Sequence, residues 1–370
     1  MNNNLQIIPY IDLKSQWKDE RDELLPIIDK VMSDGKFILE SECLKFEENV
    51  AKLCGVKYAA ALNSGTDALM YAMVLSGIKR GDEVITPSNS FIASTSSIVH
   101  IGAKPVFIDV LPNQNIDPSK IEDLITKNTK AIMPVHLTGR VCDMDPILEI
   151  AERHNLIVIE DAAQAIGSKY KGKPSGSIGD IGCFSTHPLK NLNACGDGGF
   201  VTTNDEDVFK KLVSSRNHGK VSRYAVNEFG MVSRMDNLQA AILNYRLGRL
   251  DLTLNKRRAN AKKYLEGINH KNILIHQEEA HEYNSYHTFV IQTNCRNELQ
   301  QYLLSKGIKT SVHYPIPIHL QYASRSLGYE VGDLPVTEKQ AHEILSLPIH
   351  QYLTDIDLER VIDTLNSFHS

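Results

Sequence analysis

Short apolar runs alternate with helical patterns between residues 57 and 205. The runs have the length of buried strands, and the segments between them repeat apolar residues at helical spacing. This alternation predicts a largely parallel sheet joined by crossover helices, which is an α/β architecture. The predicted strands cover residues 83–86, 105–110, 131–136, 156–159, 183–186 and 199–203.

Helical patterns also lie before, within and after this block. Residues 41–54 form an amphipathic pattern, residues 144–154 begin with a favourable Asp-Pro pair, and residues 235–267 predict a long bridging helix rich in Arg and Lys. The C-terminal part of the chain has a different pattern, with fewer strands among its helices. We therefore predict a large α/β domain over residues 1–245 and a small α+β domain over 246–370. Its predicted strands are 286–292 and 308–312, and its predicted helices are 297–306, 335–345 and 354–368.

Composition narrows the class of protein. The 370 residues are 42% hydrophobic and 23% charged, which is typical of a folded globular protein. The net charge of −5 gives no basic footprint, so neither nucleic acid nor a membrane is an expected partner. We expect a cytoplasmic protein, because neither a signal peptide nor a membrane span is visible. Neither the six cysteines nor the fourteen histidines form a metal-binding motif, so no metal site is expected.

Small residues lie between a strand-like run and a helical stretch at Ser64, Gly65 and Thr66. The N-terminus of a helix offers free N–H groups and the positive end of its dipole, and this geometry binds phosphate. Taken alone, an ordinary helix cap explains the same residues.

A carboxylate follows the strand predicted at 156–159. Asp161 therefore lies at the carboxyl edge of the sheet, where open α/β folds bind ligands, and Gln164 follows one turn later. The alternative interpretation makes Asp161 the cap of a helix over residues 162–166.

A lysine follows the strand predicted at 183–186. Ser185 and Lys190 precede a glycine-rich turn, about thirty residues after Asp161. A lone lysine is usually a solvated surface residue. The order of phosphate turn, strand-end Asp and strand-end Lys nevertheless matches what pyridoxal 5'-phosphate (PLP) requires: an anion cradle, a carboxylate for the pyridine nitrogen and an amine for a Schiff base.

The chain resembles the DegT/DnrJ/EryC1/StrS family of PLP-dependent sugar aminotransferases, which have fold type I. The resemblance runs nearly end to end, and its motifs occupy residues 63–69, 81–87, 160–165, 187–192, 196–199 and 313–321. It implies a mostly parallel central sheet flanked by helices, with a smaller C-terminal α+β domain.

The resemblance also implies residue roles. Lys190 becomes the Schiff-base lysine and proton shuttle, Asp161 the partner of the pyridine nitrogen, and Gln164 the contact to the ring hydroxyl. Gly65, Thr66 and Ser185 would hold the phosphate. Phe91 lies where the family stacks an aromatic ring on the cofactor, although a plain core Phe fits as well. The candidate substrate-binding residues are His187, Arg234, His313, Tyr314 and His319.

The family is normally a homodimer with shared active sites, in which a partner loop supplies an Asn to the phosphate. The matching loop here has Val232 at that position, and valine cannot donate this hydrogen bond. Ser233, Arg234 or water are the candidates to replace it.

The implied reaction moves an amino group from L-glutamate to a nucleotide-linked keto-sugar. Residues 8–14 and 314–321 look more like members that aminate C3, so we expect a 3-keto-6-deoxyhexose, with Arg140, Arg234 and His319 as candidate anchors for the nucleotide. The alternatives are a 4-keto nucleotide sugar, an inosose, a PLP-dependent sugar dehydratase, which has histidine in place of Lys190, and a non-catalytic regulator.

Overall fold

The structure, a computed structural model, describes residues 6–369. Short 3-10 helices lie at Pro118–Lys120, Glu122–Leu124, Leu137–Gly139, Ile318–Leu320 and Tyr322–Leu327. The α-helices are α1 (Leu13–Asp34), α2 (Ser41–Cys54), α3 (Gly65–Leu75), α4 (Ile92–His100), α5 (Met144–His154), α6 (Glu206–Ser215), α7 (Asn237–Leu247), α8 (Leu250–Gly267), α9 (Arg296–Ser305), α10 (Pro335–Glu343) and α11 (Asp355–Asn366).

The strands are short, between two and five residues. They are β1 (Tyr58–Leu62), β2 (Glu83–Pro87), β3 (Lys104–Ile108), β4 (Thr129–Ile132), β5 (Ile157–Asp161), β6 (Lys169–Tyr170), β7 (Lys173–Pro174), β8 (Ile181–Ser185), β9 (Gly199–Thr203), β10 (Glu282–Tyr283), β11 (Phe289–Gln292) and β12 (Ile344–Leu347).

A seven-stranded sheet in the order β1-β9-β8-β5-β4-β2-β3 forms the centre of the fold. Strand β9 runs antiparallel to its neighbours β1 and β8, whereas the pairs from β8 to β3 are parallel. The prediction of a mostly parallel sheet with crossover helices is therefore confirmed.

Successive residues of the central strands point into different hydrophobic cores, as the pleat of a strand requires. Phe184 and Phe200 pack with Phe46 of α2 in one core, while their chain neighbours Cys183 and Val201 belong to another that includes α3. The rings of Phe184 and Phe200 stack with centroids 4.5 Å apart. Because both faces of the sheet are covered by helices, the strands read as continuous apolar runs.

A separate core lies in the C-terminal part of the chain. Tyr264 of α8, Phe289 of β11 and Leu347 of β12 pack in it together with Ile8 from the N-terminal segment. Helices and the antiparallel pair β11–β12 build this core, which agrees with the expected α+β character. The division at residues 245 and 246 stays a prediction.

Several sequence-predicted elements differ in the structure, among them the strands predicted over 131–136 and 286–292, which are Thr129–Ile132 and Phe289–Gln292. The helix predicted over 235–267 is broken into α7 and α8 at Gly248, because glycine weakens helix continuity. The helix predicted over 335–345 ends at Glu343, because the apolar run that follows pairs with β11 as β12. The strand predicted over 308–312 is reduced to isolated bridges from Ile308 to Ile8 and from Ser311 to Ser346.

Strands β1, β5 and β8 run in one direction, so their carboxyl ends meet at one edge of the sheet. Strand β1 leads into Ser64, β5 ends at Asp161 and β8 ends at Ser185. The predicted chemistry therefore gathers at this edge. None of the helices in residues 6–369 is long and apolar enough to cross a membrane.

Candidate active site

A cavity of about 500 Å³ opens at the carboxyl edge of the sheet. It lies between the ends of the central strands and segments from the C-terminal core, including residues 287–288 and 313–314. All the cofactor residues expected from the sequence line this cavity: Gly65, Thr66, Phe91, Asp161, Gln164, Ser185 and Lys190.

One side of the cavity is the N-terminus of α3. Ser64 caps this helix, its Oγ accepting a hydrogen bond from the Asp67 N–H at 3.1 Å. The chain is tightly packed here, because a Cβ on Gly65 would lie 2.7 Å from the Cβ of Ser185 and one on Gly199 would lie 2.5 Å from the carbonyl carbon of Ser64. The close approach puts backbone N–H groups of the first turn beside the Ser185 hydroxyl, which is a geometry suited to a phosphate.

Asp161 is buried at the end of β5. Its Oδ2 accepts a hydrogen bond from the Ser94 Oγ at 2.7 Å, and its Oδ1 accepts one from the Ala163 N–H at 3.2 Å. Residues 162–166 form turns rather than a helix, so the interpretation of Asp161 as a helix cap was wrong. The carboxylate is thus held by a neutral hydroxyl and a backbone N–H, and no cation lies within 4 Å of it in the described part of the chain.

Lys190 follows β8 on a turn closed by its own N–H, which donates to the His187 carbonyl at 2.8 Å. The side chain lines the cavity and keeps part of its surface accessible from that side. Burial lowers the pKa of Lys190 from 10.5 to about 8, against the opposing effect of the Asp161 charge. A lysine with this pKa has a useful fraction of neutral, nucleophilic amine near neutral pH.

Gln164, Tyr314 and Phe91 surround the same space. The Gln164 Oε1 accepts a hydrogen bond from the Thr138 N–H at 2.9 Å, which fixes the direction of its amide. Burial raises the pKa of Tyr314 to about 12, the Asp161 charge adds to this, and a hydrogen bond to Gln164 opposes it. The Phe91 ring is 54% exposed and its centroid lies 6.1 Å from that of Tyr314, so Phe91 is not the core residue that the alternative interpretation assumed.

Of the candidate substrate residues, His187, His313 and Tyr314 line the cavity, whereas Arg234 and His319 do not. His319 is fully buried elsewhere: its Nδ1 shares a hydrogen bond with the Ser88 Oγ at 2.7 Å and its Nε2 lies 3.2 Å from Glu338. Both ring nitrogens are therefore engaged within the chain.

The other candidates for binding the nucleotide were Arg234 and Arg140. Each of them has hydrogen-bond partners within the chain. Arg234 donates from Nη1 to the Asn217 Oδ1 at 2.9 Å, in a segment that also contains Val232. Arg140 donates to the His276 and Gln277 carbonyls and lies 3.5 Å from the Glu282 carboxylate.

Sequence reasoning missed several residues that line the cavity. Tyr10 lies in residues 8–14, which were compared only for the class of sugar, and Ser94, Arg257 and His287 come from segments with no strand-end position and no motif of their own. The signal for Arg257 was present in the Arg- and Lys-rich pattern of α8, but helical periodicity alone does not show which cation faces inward.

The geometry and burial of these residues fit PLP. The cradle at Gly65 has no room for a side chain, and Lys190 is an amine whose pKa is already lowered. Asp161 is a buried carboxylate with no cation within 4 Å among residues 6–369. In residues 6–369, no group of three or more His, Cys, Asp or Glu side chains is arranged to hold a metal ion.

Comparison with known proteins identifies the family. Residues 18–366 match the family model described as the DegT/DnrJ/EryC1/StrS aminotransferase family. The chain belongs to this family. It is a PLP-dependent aminotransferase.

Curated relatives cover almost the whole chain. A dTDP-3-amino-3,6-dideoxy-α-D-galactopyranose transaminase of Aneurinibacillus thermoaerophilus is 42% identical, over 98% of this chain and 99% of its own. A UDP-N-acetyl-3-dehydro-α-D-glucosamine 3-aminotransferase of Acidithiobacillus ferrooxidans is 40% identical, over 96% of each. A protein of Geobacillus stearothermophilus named pleiotropic regulatory protein is 41% identical, over 98% of each.

Solved structures agree with the fold and the cofactor. Streptomyces venezuelae DesV, in complex with a ketimine intermediate, matches with a TM-score of 0.95 and 38% identity, over 97% of this chain and 98% of its own. Bacillus subtilis NtdA with bound cofactor PMP matches with a TM-score of 0.91 and 34% identity, over 98% of this chain and 85% of its own.

Proposed function

We propose that this enzyme transfers the amino group of L-glutamate to a nucleotide-linked 3-keto-6-deoxyhexose, forming a 3-amino sugar. The observation that carries the aminotransferase chemistry is the convergence of Lys190, Asp161 and the α3 N-terminus on one cavity. The sugar class rests on the relatives, two of which are named for 3-amino or 3-dehydro nucleotide sugars.

When bound, PLP supplies an electron sink and carries the amino group between two half-reactions. In our proposal Lys190 holds the cofactor and, once released, moves the proton at the reacting carbon of the substrate. Its lowered pKa suits this task, because an amine near pKa 8 both accepts and returns a proton at physiological pH. Asp161 keeps the ring nitrogen protonated, and Ser94 keeps the carboxylate oriented.

The cofactor phosphate is assigned to the N–H groups of Gly65 and Thr66 and to the Ser185 hydroxyl. Gln164 contacts the ring hydroxyl, and Phe91 covers the ring from the accessible side of the cavity. His187, His313 and Tyr314 are the remaining candidates for contacts to the sugar. Burial, with the nearby Lys190 charge, lowers the pKa of His313 to about 4, so its imidazole is neutral at physiological pH. A neutral imidazole adds no second positive charge beside Lys190.

We infer a homodimer with shared active sites. The segment after α6 exposes apolar side chains, among them Tyr224, Phe229 and Met231, and Phe229 is fully exposed. A cluster of exposed apolar side chains on a loop is typical of an interaction surface. Val232 lies on the same loop, so the phosphate contact that the family receives from an Asn must come from other groups here.

Because one relative is named a regulatory protein, a non-catalytic role is the second candidate function for this chain. Two observations argue against that role. The cavity contains the complete set of Asp161, Gln164, Ser185 and Lys190, and the pKa of Lys190 is lowered. A purely binding module requires neither feature. A sugar dehydratase is also disfavoured, because Lys190 occupies the position that histidine takes in such enzymes.

The test supplies the amino form of the holoenzyme with 3-keto and 4-keto nucleotide hexoses and with an inosose, and follows the return of the cofactor's visible absorbance. We expect the 3-keto nucleotide sugar to restore the absorbance fastest. Preference for another acceptor would refute the sugar assignment. No reaction of the wild type with any amino donor would refute the catalytic function itself.

A further inference from the structure

A buried arginine without a carboxylate partner lines the active-site cavity. Arg257 of α8 is only 6% exposed, yet it forms no ion pair with the described residues. Its Nη1 donates hydrogen bonds to the carbonyls of Tyr286 and His287, at 3.0 and 3.3 Å. Its Nε is buried and has no hydrogen-bond partner in the part of the chain that the structure describes.

Other buried arginines show what an ordinary structural role looks like here. Arg216 pairs with Glu47, Arg246 pairs with Glu20, and Arg140 lies beside Glu282. Arg296 also has no carboxylate partner within residues 6–369, but it does not line the cavity. Arg257 is thus an interior cation whose missing counter-ion can be supplied from the cavity.

The energetics favour an anionic ligand. A guanidinium taken out of water without a counter-ion is strongly disfavoured, and an ion of opposite charge offsets this cost. Burial lowers the pKa of Arg257 to about 10, with Tyr10 as the group that opposes the shift. The side chain still carries its charge at physiological pH and therefore attracts an anion.

The neighbours of Arg257 define the site further. Burial lowers the pKa of His287 well below its usual range, with further contributions from the charges of Lys190, Arg257 and His313. A neutral His287 thus lies within the electrostatic reach of both Lys190 and Arg257. The Nδ1 of His287 and the Oγ1 of Thr288 are buried and have no hydrogen-bond partners among the described residues. A cation with unpaired polar groups beside it, near the reactive lysine, suits a small planar anion.

We propose that Arg257 binds the α-carboxylate of the amino donor, an assignment that rests on the proposed function. The cofactor phosphate has its own cradle at α3, and the sugar ring carries no charge. The nucleotide diphosphate is bulkier than a carboxylate and lies several bonds from the reacting carbon. The donor, in contrast, has its carboxylate one bond from the carbon that reacts beside Lys190, and a planar guanidinium binds a carboxylate through two parallel hydrogen bonds.

The experiment separates the two half-reactions of the holoenzyme. In Arg257→Gln, we expect the apparent affinity for L-glutamate to fall about 100-fold, because a charge-assisted pair is lost. The half-reaction with the keto-sugar should change little. Arg257→Lys keeps the charge but loses the fork, so an intermediate loss is expected. Arg258→Gln is the matched control, because Arg258 pairs with Glu278 and packs on the Tyr283 ring, outside the cavity lining.

A second readout does not depend on turnover. Glutarate, which has the carboxylates but no amine, is titrated into each holoenzyme by calorimetry. We expect binding to wild type and Arg258→Gln and a loss of at least about 30-fold in Arg257→Gln. Three results would overturn the proposal. The first is glutarate binding to the Arg257 variants that equals binding to wild type, and the second is no glutarate binding even to wild type. The third is an equal loss in both half-reactions. Failure of the wild type to react with any amino donor sinks the proposed function instead, and is seen without any variant.

Discussion

Gly65 offers a direct way to perturb the phosphate cradle with one methyl group. The residue begins α3, and a Cβ built there would lie 2.7 Å from the Cβ, 3.2 Å from the Cα and 3.3 Å from the Oγ of Ser185. The distance of 2.7 Å between the two Cβ atoms is far below van der Waals contact. The Cα and Cβ of Ser185 are fixed to the backbone of β8, so these atoms move only with that strand. In Gly65→Ala, the helix N-terminus and the strand end must therefore separate.

The expected magnitude has two parts. Overpacking of a well-packed site costs about 1 to 3 kcal/mol, so the free energy of unfolding of the apoprotein should fall by this amount. Moving the Gly65 N–H away from Ser185 should also remove one charge-assisted hydrogen bond to the phosphate, worth about 1.5 to 3 kcal/mol. The affinity for the cofactor should then fall about 10- to 100-fold.

Pyridoxamine phosphate is the appropriate ligand for the assay, because it has the phosphate but no aldehyde to react with Lys190. Its dissociation constant and the unfolding of the apoprotein are measured for both proteins. Gly248→Ala is the control: Gly248 has a helical φ of −62°, and a Cβ there would meet only the Tyr245 and Asn244 carbonyls, at 3.4 and 3.9 Å. The control should bind pyridoxamine phosphate like wild type and gain a little stability.

Unchanged affinity for pyridoxamine phosphate in Gly65→Ala would refute the assignment of the cradle. A fall in stability with unchanged affinity would show that the contact between Gly65 and Ser185 is structural only.

Three further predictions concern the ring partner, the lysine and the exposed loop. Asp161→Asn should bind pyridoxamine phosphate yet lose at least about 100-fold in the single-turnover rate with L-glutamate, because the charge opposite the ring nitrogen is gone; a near-normal rate would contradict its role. Because the pKa of Lys190 is lowered to about 8, the unfolded apoprotein binds more protons than the folded one between pH 8 and 10.5. The stability of wild type relative to Lys190→Met should therefore rise with pH across that window and be flat below it, and a difference that is independent of pH would count against the shift. Phe229→Ser with Met231→Ser should weaken self-association in sedimentation, whereas an active wild-type monomer would exclude shared sites.

Hydrophobic pattern predicted the central sheet well, because its strands are buried on both faces. Strand β9 at Gly199–Thr203 and helices α2 and α5 have the predicted bounds. Sequence reasoning failed where tertiary pairing decides the outcome: residues 344–347 have a helix-compatible pattern but pair with β11. The long helix α1 was not predicted, and its weakly amphipathic sequence, with Pro26 inside, explains why.

The candidate site divides in the same way. Residues at strand ends, such as Asp161 and Ser185, were predictable because parallel strands bring their ends together. His319 could not be placed from the sequence, because its partners Ser88 and Glu338 are distant in the chain. Arg257 was missed for a related reason, since a helix with many cations does not reveal which one lacks a partner.

The most direct test of the account is the position of the cofactor on the chain. The PLP-loaded protein is reduced with borohydride, digested and analysed by mass spectrometry. We predict that the reduced cofactor is found on the peptide containing Lys190, and that Lys190→Arg carries none. Stoichiometric label on another lysine, or label that persists in Lys190→Arg, would contradict the central claim that Lys190 holds the cofactor.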